Sequence, residues 1–202
     1  MDKQSIRKQV QATLTAMDAV ELRRRSEKVC ERISRLEEFR RAEVVMAYLP
    51  IVAEVDVEPL ILHAWDAGKT VLAPRVHWKH RRITPTVLNS LRDGLAEGRY
   101  GVREPLGGEV FDIERIDLVI VPAVAYDRSG NRLGRGAGFY DRFLASCRPA
   151  TIACGAAFDE QVLEKIPVTD NDMPVDLIVT DTEVLRFSGR GTDRAATQER
   201  NG

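Results

Sequence analysis

Apolar and polar positions divide the chain into a helical N-terminal part and a longer part with a different period. From residue 3 to about residue 41, apolar side chains such as Ile6 and Val10 recur every three or four positions, which is the period of an amphipathic helix. Asp18 precedes a second periodic stretch, and Glu21 stands three residues later, the spacing of a capping box. We therefore expect a pair of amphipathic helices at the N-terminus.

Short continuous apolar runs follow, and they alternate with helical stretches. The runs are Val44–Leu49, Thr70–Ala73, Leu118–Val121, Thr151–Ala157 and Leu177–Thr180, and the first three end at prolines. The helical stretches are Val57–Ala67, Gly138–Ser146 and Glu160–Lys165. Continuous apolar runs are typical of strands that are buried on both faces, so the alternation predicts an α/β fold with a mostly parallel sheet. Residues 75–117 are less regular, and we expect an extra hairpin around Ile83–Leu88.

Length, charge and cysteine content narrow the class of protein. A chain of 202 residues favours one domain, which we place at residues 1–187. Residues 188–202 have no large apolar side chain, and we expect them to be disordered. Thirty basic and 31 acidic residues leave a net charge of −1, which excludes nucleic-acid binding driven by bulk charge. No apolar run approaches the roughly 18 residues of a membrane span, and three cysteines favour a reducing compartment. We expect a cytoplasmic protein.

A glycine-rich segment, Asp127–Arg142 (DRSGNRLGRGAGFYDR), follows the third apolar run and leads into a helix. Four of the fourteen glycines fall between positions 130 and 138. Successive backbone N–H groups and a helix N-terminus can bind an anion, and Arg132 and Arg135 can each bind phosphate through two hydrogen bonds. Asp141 is the kind of carboxylate that holds Mg²⁺ beside phosphate. The segment lacks the GK[ST] of a P-loop, and Phe139 replaces the last glycine of a dinucleotide fingerprint.

The segment GNRLGRGAGFYDRFL, preceded by VPAVAYD, closely resembles the signature of the 5-formyltetrahydrofolate cyclo-ligase family, also called 5,10-methenyltetrahydrofolate synthetases. The resemblance runs from about Lys3 to Thr180. It implies a single three-layer α/β/α domain with a Rossmann-like sheet, similar to the sugar-phosphate isomerase and CoA-transferase superfamily. It also implies an enzyme that uses ATP and Mg²⁺ to close 5-formyltetrahydrofolate to 5,10-methenyltetrahydrofolate, releasing ADP and phosphate. With that small-molecule substrate we expect a monomer, with no nucleic-acid or membrane partner.

The resemblance also assigns residues. For ATP it implies Lys3, Arg7, Arg132, Leu133, Gly134, Arg135, Gly136, Ala137, Gly138, Phe139 and Tyr140, with Arg132 and Arg135 acting on the transferred phosphate. For the folate it implies Glu54, with Tyr100 and Tyr140 as further contacts, and for Mg²⁺ it implies Asp141 and Asp172. Spacing alone also allows ordinary structural roles for these residues. Lys3 and Arg7 could lie on a solvated helix face, Glu54 could be a loop acid, Tyr100 could lie in the core, and Asp172 could lie in a turn.

Two departures from the family pattern keep other functions open. Ala137 stands where family members carry glycine or lysine, and the stretch HWKHRRITP at residues 77–85 lacks the methionine that the family often has there. One alternative is a non-catalytic folate- or nucleotide-binding protein. Another is an ATP-dependent enzyme of the same fold that acts on a different formamide.

Overall fold

Helices and strands alternate along most of the chain in the computed structural model, which describes residues 1–187. The tail that we expect to be disordered, residues 188–202, lies outside the described residues. Within the described part the α-helices are α1 (Lys3–Thr15), α2 (Ala19–Ser34), α3 (Glu37–Arg41), α4 (Glu58–Asp66) and α5 (Phe139–Ser146). The N-terminal region is helical as predicted, but it forms three helices and not two.

A large sheet lies at the centre of the described residues. Its strands, in spatial order, are β12 (Val184–Arg186), β11 (Leu177–Val179), β9 (Ile152–Ala156), β6 (Leu118–Val121), β1 (Val44–Met46), β2 (Thr70–His77) and β3 (Arg82–Val87). The inner pairs are parallel, and the edge pairs β11–β12 and β2–β3 are antiparallel. Two small sheets pair β4 (Leu95–Glu97) with β5 (Arg103–Pro105), and β7 (Ala125–Asp127) with β8 (Arg132–Leu133) and β10 (Val162–Leu163).

Helices cover both faces of the sheet. On one face, Ile6 of α1, Ile33 of α2 and Leu60 of α4 are buried in one apolar cluster. On the other face, Phe143 and Leu144 of α5 are buried in a second cluster. A strand covered on both faces must be apolar throughout, which is why the short runs predicted strands correctly. The three-layer α/β/α fold and its mostly parallel sheet are confirmed.

Helix α2 begins after Asp18, as predicted, but the predicted capping box is wrong. The Asp18 side chain accepts no capping hydrogen bond. Glu21 instead accepts two hydrogen bonds from Arg24, at 2.6 and 2.9 Å, so its carboxylate does not reach back to the helix start. The side-chain cap is at α1, where Asp2 Oδ1 accepts from the N–H groups of Gln4 and Ser5.

Two local predictions fail for identifiable reasons. The second apolar run does not end at Pro74, because β2 continues to His77 and places Pro74 opposite Pro85 of β3. Proline is tolerated in a strand where its missing N–H has no ladder partner. The stretch Glu160–Lys165 is not an α-helix but a 3₁₀ turn, Asp159–Gln161, followed by β10.

The side chain of Gln161 accounts for the second failure. Its Oε1 accepts from the N–H of Phe158, and its Nε2 donates to the carbonyls of Ala123 and Val124, at 2.9 and 3.2 Å. Gln161 is 2% exposed, so these bonds satisfy a buried amide. They fix the turn to the strand end after β6, and the chain then pairs with β7 instead of continuing as a helix.

Arg25 attaches α2 to the far end of the chain. Its guanidinium bonds both oxygens of Asp181 at 2.7 and 2.9 Å and both oxygens of Glu160 at 2.7 and 2.9 Å. The side chains of Arg25 and Asp181 are only 10% and 9% exposed. Burial alone would raise the pKa of the Asp181 carboxyl, but the hydrogen bonds and charge of Arg25 outweigh burial and hold that pKa below its ordinary value.

No helix within residues 1–187 is both long enough and apolar enough to cross a membrane.

We expect Arg25→Ala to lower the free energy of unfolding by about 3 kcal/mol or more, because Asp181 loses its buried counter-charge. Urea denaturation at neutral pH measures the change. Arg24→Ala is the matched control on the same helix, since Arg24 bonds only Glu21 on the exposed surface and its loss should leave the midpoint almost unchanged. Equal midpoints for the two variants would contradict this role of Arg25.

Candidate functional site

The glycine-rich segment lies at the edge of the sheet where the parallel strands end. The chain leaves β6 at Val121, passes through β7 and β8, and reaches α5 through the loop Gly134–Gly138. Gly136 and Gly138 have φ angles of 106° and 67°, which side chains other than glycine rarely adopt. The glycines therefore shape a loop whose backbone is exposed at the N-terminus of α5, the geometry that binds anions.

Asp127 holds the base of this segment, a role that sequence reasoning missed. Its side chain is fully buried and accepts from the N–H groups of Ser129, Asn131 and Ile166, and from the Asn131 amide. An aspartate before Ser-Gly-Asn is a turn signal that could have identified it. The turn in front of the loop is thus held by a satisfied buried carboxylate.

Helix α1 brings its two predicted cations to the loop. Arg7 Nε donates to the Gly134 carbonyl at 2.8 Å, and a methyl group on Gly136 would lie 3.6 Å from Arg7 Nη2. One turn earlier, Lys3 Nζ lies 2.5 Å from Asp172 Oδ2. The spacing of Lys3 and Arg7 on one helix face therefore matches a face that contacts the site, and not only solvent.

The two predicted metal ligands lie on neighbouring segments. Asp141 Oδ1 accepts from Arg132 Nη2 at 2.6 Å and from the N–H of Met173 at 3.1 Å, so it lies beside the segment that carries Asp172. Burial raises the pKa of Asp172, but hydrogen bonds from Lys3 and the Thr169 N–H outweigh it, and the pKa is lowered. Both acids are paired with cations, Asp141 with Arg132 and Asp172 with Lys3.

This donor set fits one kind of metal site. Residues 1–187 contain no group of three or more histidine, cysteine or acidic side chains placed to hold a metal ion. Mg²⁺ is commonly held by one or two carboxylates, with phosphate oxygens and water in the other positions. Asp141 and Asp172 fit that arrangement, in which the metal arrives together with a phosphate ligand.

Arg132 and Tyr140 bring buried polar atoms to the site. The Arg132 side chain is 3% exposed, and its guanidinium carbon lies 5.8 Å from the centroid of the Tyr140 ring. Arg132 Nε and Tyr140 Oη are buried and have no hydrogen-bond partner among the described residues. Burial raises the pKa of Tyr140, so its hydroxyl stays protonated and can donate. Unsatisfied buried donors are costly, and a bound ligand is a common reason for them.

Glu54 and Arg135 meet across a narrow cleft. Glu54 Oε1 accepts from Arg135 Nη2 at 3.0 Å and from Nε at 3.3 Å, and Oε2 accepts from the Ile51 N–H at 3.3 Å. Burial raises the pKa of Glu54, although the charge of Arg135 opposes this rise. The cleft is lined by Gln11, Leu14, Val52, Ala53, Glu54, Ala123, Val124, Arg135 and Gln161. The pterin-binding acid and one phosphate-binding arginine of the sequence prediction are thus direct partners.

The remaining predicted residues have different surroundings. Leu133 has its side chain in the core, so only its backbone faces the loop. The Ala137 carbonyl accepts from Arg142, which also donates to the Arg81 carbonyl, a bridge that no sequence signal indicated. Phe139 packs edge-on against Trp78, with the ring centroids 4.9 Å apart. Tyr100 lies in the 3₁₀ turn Arg99–Gly101, and its side chain is outside what the structure describes.

Comparison with known proteins yields one consistent set of relatives. The model of the 5-formyltetrahydrofolate cyclo-ligase family matches residues 1–181. The 5-formyltetrahydrofolate cyclo-ligase of Escherichia coli (strain K12) is 35% identical over 72% of this chain and 82% of its own length. The cyclo-ligase of Mus musculus is 28% identical over 88% of this chain and 92% of its own.

Solved structures agree with this relationship. The NMR structure of Aquifex aeolicus 5,10-methenyltetrahydrofolate synthetase is 36% identical and superposes with a TM-score of 0.81, covering 94% of this chain and 95% of that one. The synthetase from Mycoplasma pneumoniae, at 22% identity and a TM-score of 0.74, shares the fold.

Because Tyr140 Oη has no hydrogen-bond partner among residues 1–187, we expect Tyr140→Phe to leave the free energy of unfolding unchanged or to raise it. Tyr126→Phe is the matched control, since the buried Tyr126 hydroxyl donates to the Val121 carbonyl at 2.6 Å. Its loss should cost about 1 kcal/mol or more. Urea denaturation measures both variants, and a loss for Tyr140→Phe as large as that for Tyr126→Phe would show that the Tyr140 hydroxyl is satisfied within the protein.

Proposed function

The chain belongs to the 5-formyltetrahydrofolate cyclo-ligase family, and we propose that its glycine loop and the three ion pairs around it carry out the family's reaction. The protein is a ligase that closes 5-formyltetrahydrofolate to 5,10-methenyltetrahydrofolate in an ATP-dependent reaction. The observation that carries the residue assignment is the meeting of α1, Glu54 and the Asp172 segment at the loop that bears the family signature.

The loop Gly134–Gly138 is the phosphate subsite in this proposal. Its N–H groups and the N-terminus of α5 supply partial positive charge. Arg7, Arg132 and Arg135 add full charges, and Lys3 closes over the nucleotide from α1. The support is geometric: Arg7 bonds the loop backbone, and Nε of the buried Arg132 has no hydrogen-bond partner among residues 1–187. Ala137 has no ammonium group to offer, so the backbone and the arginines neutralise the phosphates.

Asp141 and Asp172 are the residues that would hold Mg²⁺, which when bound neutralises charge on the phosphate oxygens. In the free protein these acids pair with Arg132 and Lys3. Arg132 and Lys3 would donate hydrogen bonds to the phosphate oxygens. The two ion pairs thus keep the phosphate-binding side chains in place before the nucleotide arrives.

The chemistry needs positioning more than covalent help from the protein. The γ-phosphoryl group of ATP moves to the formyl oxygen of the substrate, and ADP leaves. N10 then attacks the activated carbon, loses its proton and closes the ring, and phosphate departs with the former formyl oxygen. Arg132 and Arg135 stabilise charge on the phosphoryl group in transfer. Glu54 accepts hydrogen bonds from the pterin, and Tyr140 Oη donates to the substrate beside it.

The remaining assignments are a cytoplasmic location, a monomeric enzyme, and Tyr100 as a further folate contact. All three cysteines, Cys30, Cys147 and Cys154, are buried thiols, which supports a reducing compartment. Of the large apolar side chains exposed in the described region, Val20 lies on α2 and Leu62 on α4, and the others, such as Val52 and Val168, lie outside helices and strands, which supports a monomer.

An optical assay tests the proposed function. Purified protein is mixed with ATP, Mg²⁺ and 5-formyltetrahydrofolate, and methenyl product is followed by its near-ultraviolet absorbance. We expect product to form with equal consumption of ATP. Absence of both would overturn the proposal. Tight folate binding in calorimetry without ATP consumption would instead identify a non-catalytic binder.

A substitution tests the loop assignment. We expect Arg135→Ala to raise the KM for ATP at least about tenfold, the effect of losing a charge-assisted contact, while urea denaturation finds the chain still folded. Arg128→Ala is the control, because Arg128 lies in the same glycine-rich segment but pairs with Glu164 and Glu183. Unchanged ATP kinetics in Arg135→Ala would remove Arg135 from the nucleotide site.

A further inference from the structure

The Glu54–Arg135 ion pair differs from the other two ion pairs of the site. Lys3–Asp172 and Arg132–Asp141 each join two groups that serve the nucleotide and its metal. Glu54–Arg135 joins a group assigned to the folate with a group assigned to the nucleotide. The Glu54 side chain is 12% exposed and the Arg135 side chain 48% exposed, and both residues line the same cleft.

The pair and the ligands compete for the same atoms. Arg135 uses Nε and Nη2 on Glu54, and these two nitrogens form the edge with which arginine grips a phosphate bidentately. Glu54 uses Oε1 on Arg135 and Oε2 on the Ile51 N–H, which leaves little capacity for a pterin. A full set of contacts to either ligand therefore requires the pair to open.

Building on the proposed function, we propose that the Glu54–Arg135 ion pair couples the two substrate subsites, so that the nucleotide and 5-formyltetrahydrofolate each strengthen the binding of the other. The first ligand to bind must break the ion pair, and the free energy needed to break it weakens the binding of that ligand. The second ligand does not have to break the pair, because the side chain that it contacts is already unpaired. By linkage the gain in affinity is the same whichever ligand binds first.

Burial makes this coupling effective. A carboxylate at the position of Glu54 loses solvation, and when Arg135 turns away, that carboxylate has no cation to compensate for the loss. Donors on the incoming pterin restore the compensation. The free protein keeps both groups paired, whereas the doubly bound protein pairs each group with a ligand. The singly bound protein is the state with an unsatisfied group.

Calorimetry measures the coupling directly. The Kd of 5-formyltetrahydrofolate is determined with and without a saturating, non-hydrolysable β,γ-imido analogue of ATP, so that no turnover occurs. We expect the analogue to lower the Kd about fivefold or more, within the usual range for coupled sites. The reverse titration should give the same factor.

Variants separate the coupling from simple loss of binding. In Arg135→Ala, at analogue concentrations that saturate the variant, the Kd of the folate should no longer respond to the nucleotide. Arg148→Ala is the control, because Arg148 forms a half-buried ion pair with Asp117 at the opposite edge of the sheet, and it should keep the full factor. Coupling that persists in Arg135→Ala would overturn the proposal.

A second variant gives an independent readout. Glu54→Gln removes the charge that holds Arg135, so the analogue alone should bind a few-fold more tightly to it than to the unmodified protein. Weaker binding of the analogue would mean that Glu54 only positions Arg135 for phosphate, and would overturn the coupling. If no product forms in the optical assay, the proposed function is refuted. If product forms but the Kd of the folate does not respond to the nucleotide, only the coupling is refuted.

Discussion

Positive charge gathered around the loop Gly134–Gly138 must be balanced by nearby acids where it is buried. Arg132 is almost fully buried, and an isolated guanidinium there would be strongly destabilising. Asp141 balances it, and Asp172 and Glu54 do the same for Lys3 and Arg135. Lys3, Arg132 and Arg135 are thus each paired with an acid. Arg7 instead donates to the Gly134 carbonyl.

This balance explains much of the architecture around the loop. Each acid comes from a different part of the chain: Glu54 follows β1, Asp141 lies in the first turn of α5, and Asp172 precedes β11. Glu54 and the start of α5 follow parallel strands and reach one edge of the sheet, since the carboxyl ends of parallel strands lie together. The segment of Asp172 joins them through the hydrogen bond from the Met173 N–H to Asp141. Arg25 and Asp127 then fix the surrounding turns by satisfying buried groups. The loop itself needs only glycines that tolerate positive φ.

The sequence predicted elements that depend on local pattern and missed those that depend on distant partners. The run Leu118–Val121 has the bounds of β6, because burial on both faces leaves a continuous apolar signal. The failure at Glu160–Lys165 arose from Gln161, whose amide bonds lie near residue 123. The family signature named most of the candidate site residues, but no pattern indicated that Glu54 would face Arg135. Ion pairs between residues 81 positions apart carry no periodicity.

The first and last parts of the described chain meet at the site, and this has a consequence for biosynthesis. Lys3 contacts Asp172 across 169 positions, and Arg25 contacts Asp181 across 156. Chains leave the ribosome from the N-terminus at about 5–20 residues per second. Helices α1 and α2 thus emerge well before the strands and acids that they cover. Their apolar faces lack these partners in the meantime, and the contact between Lys3 and Asp172 can form only after residue 172 has emerged.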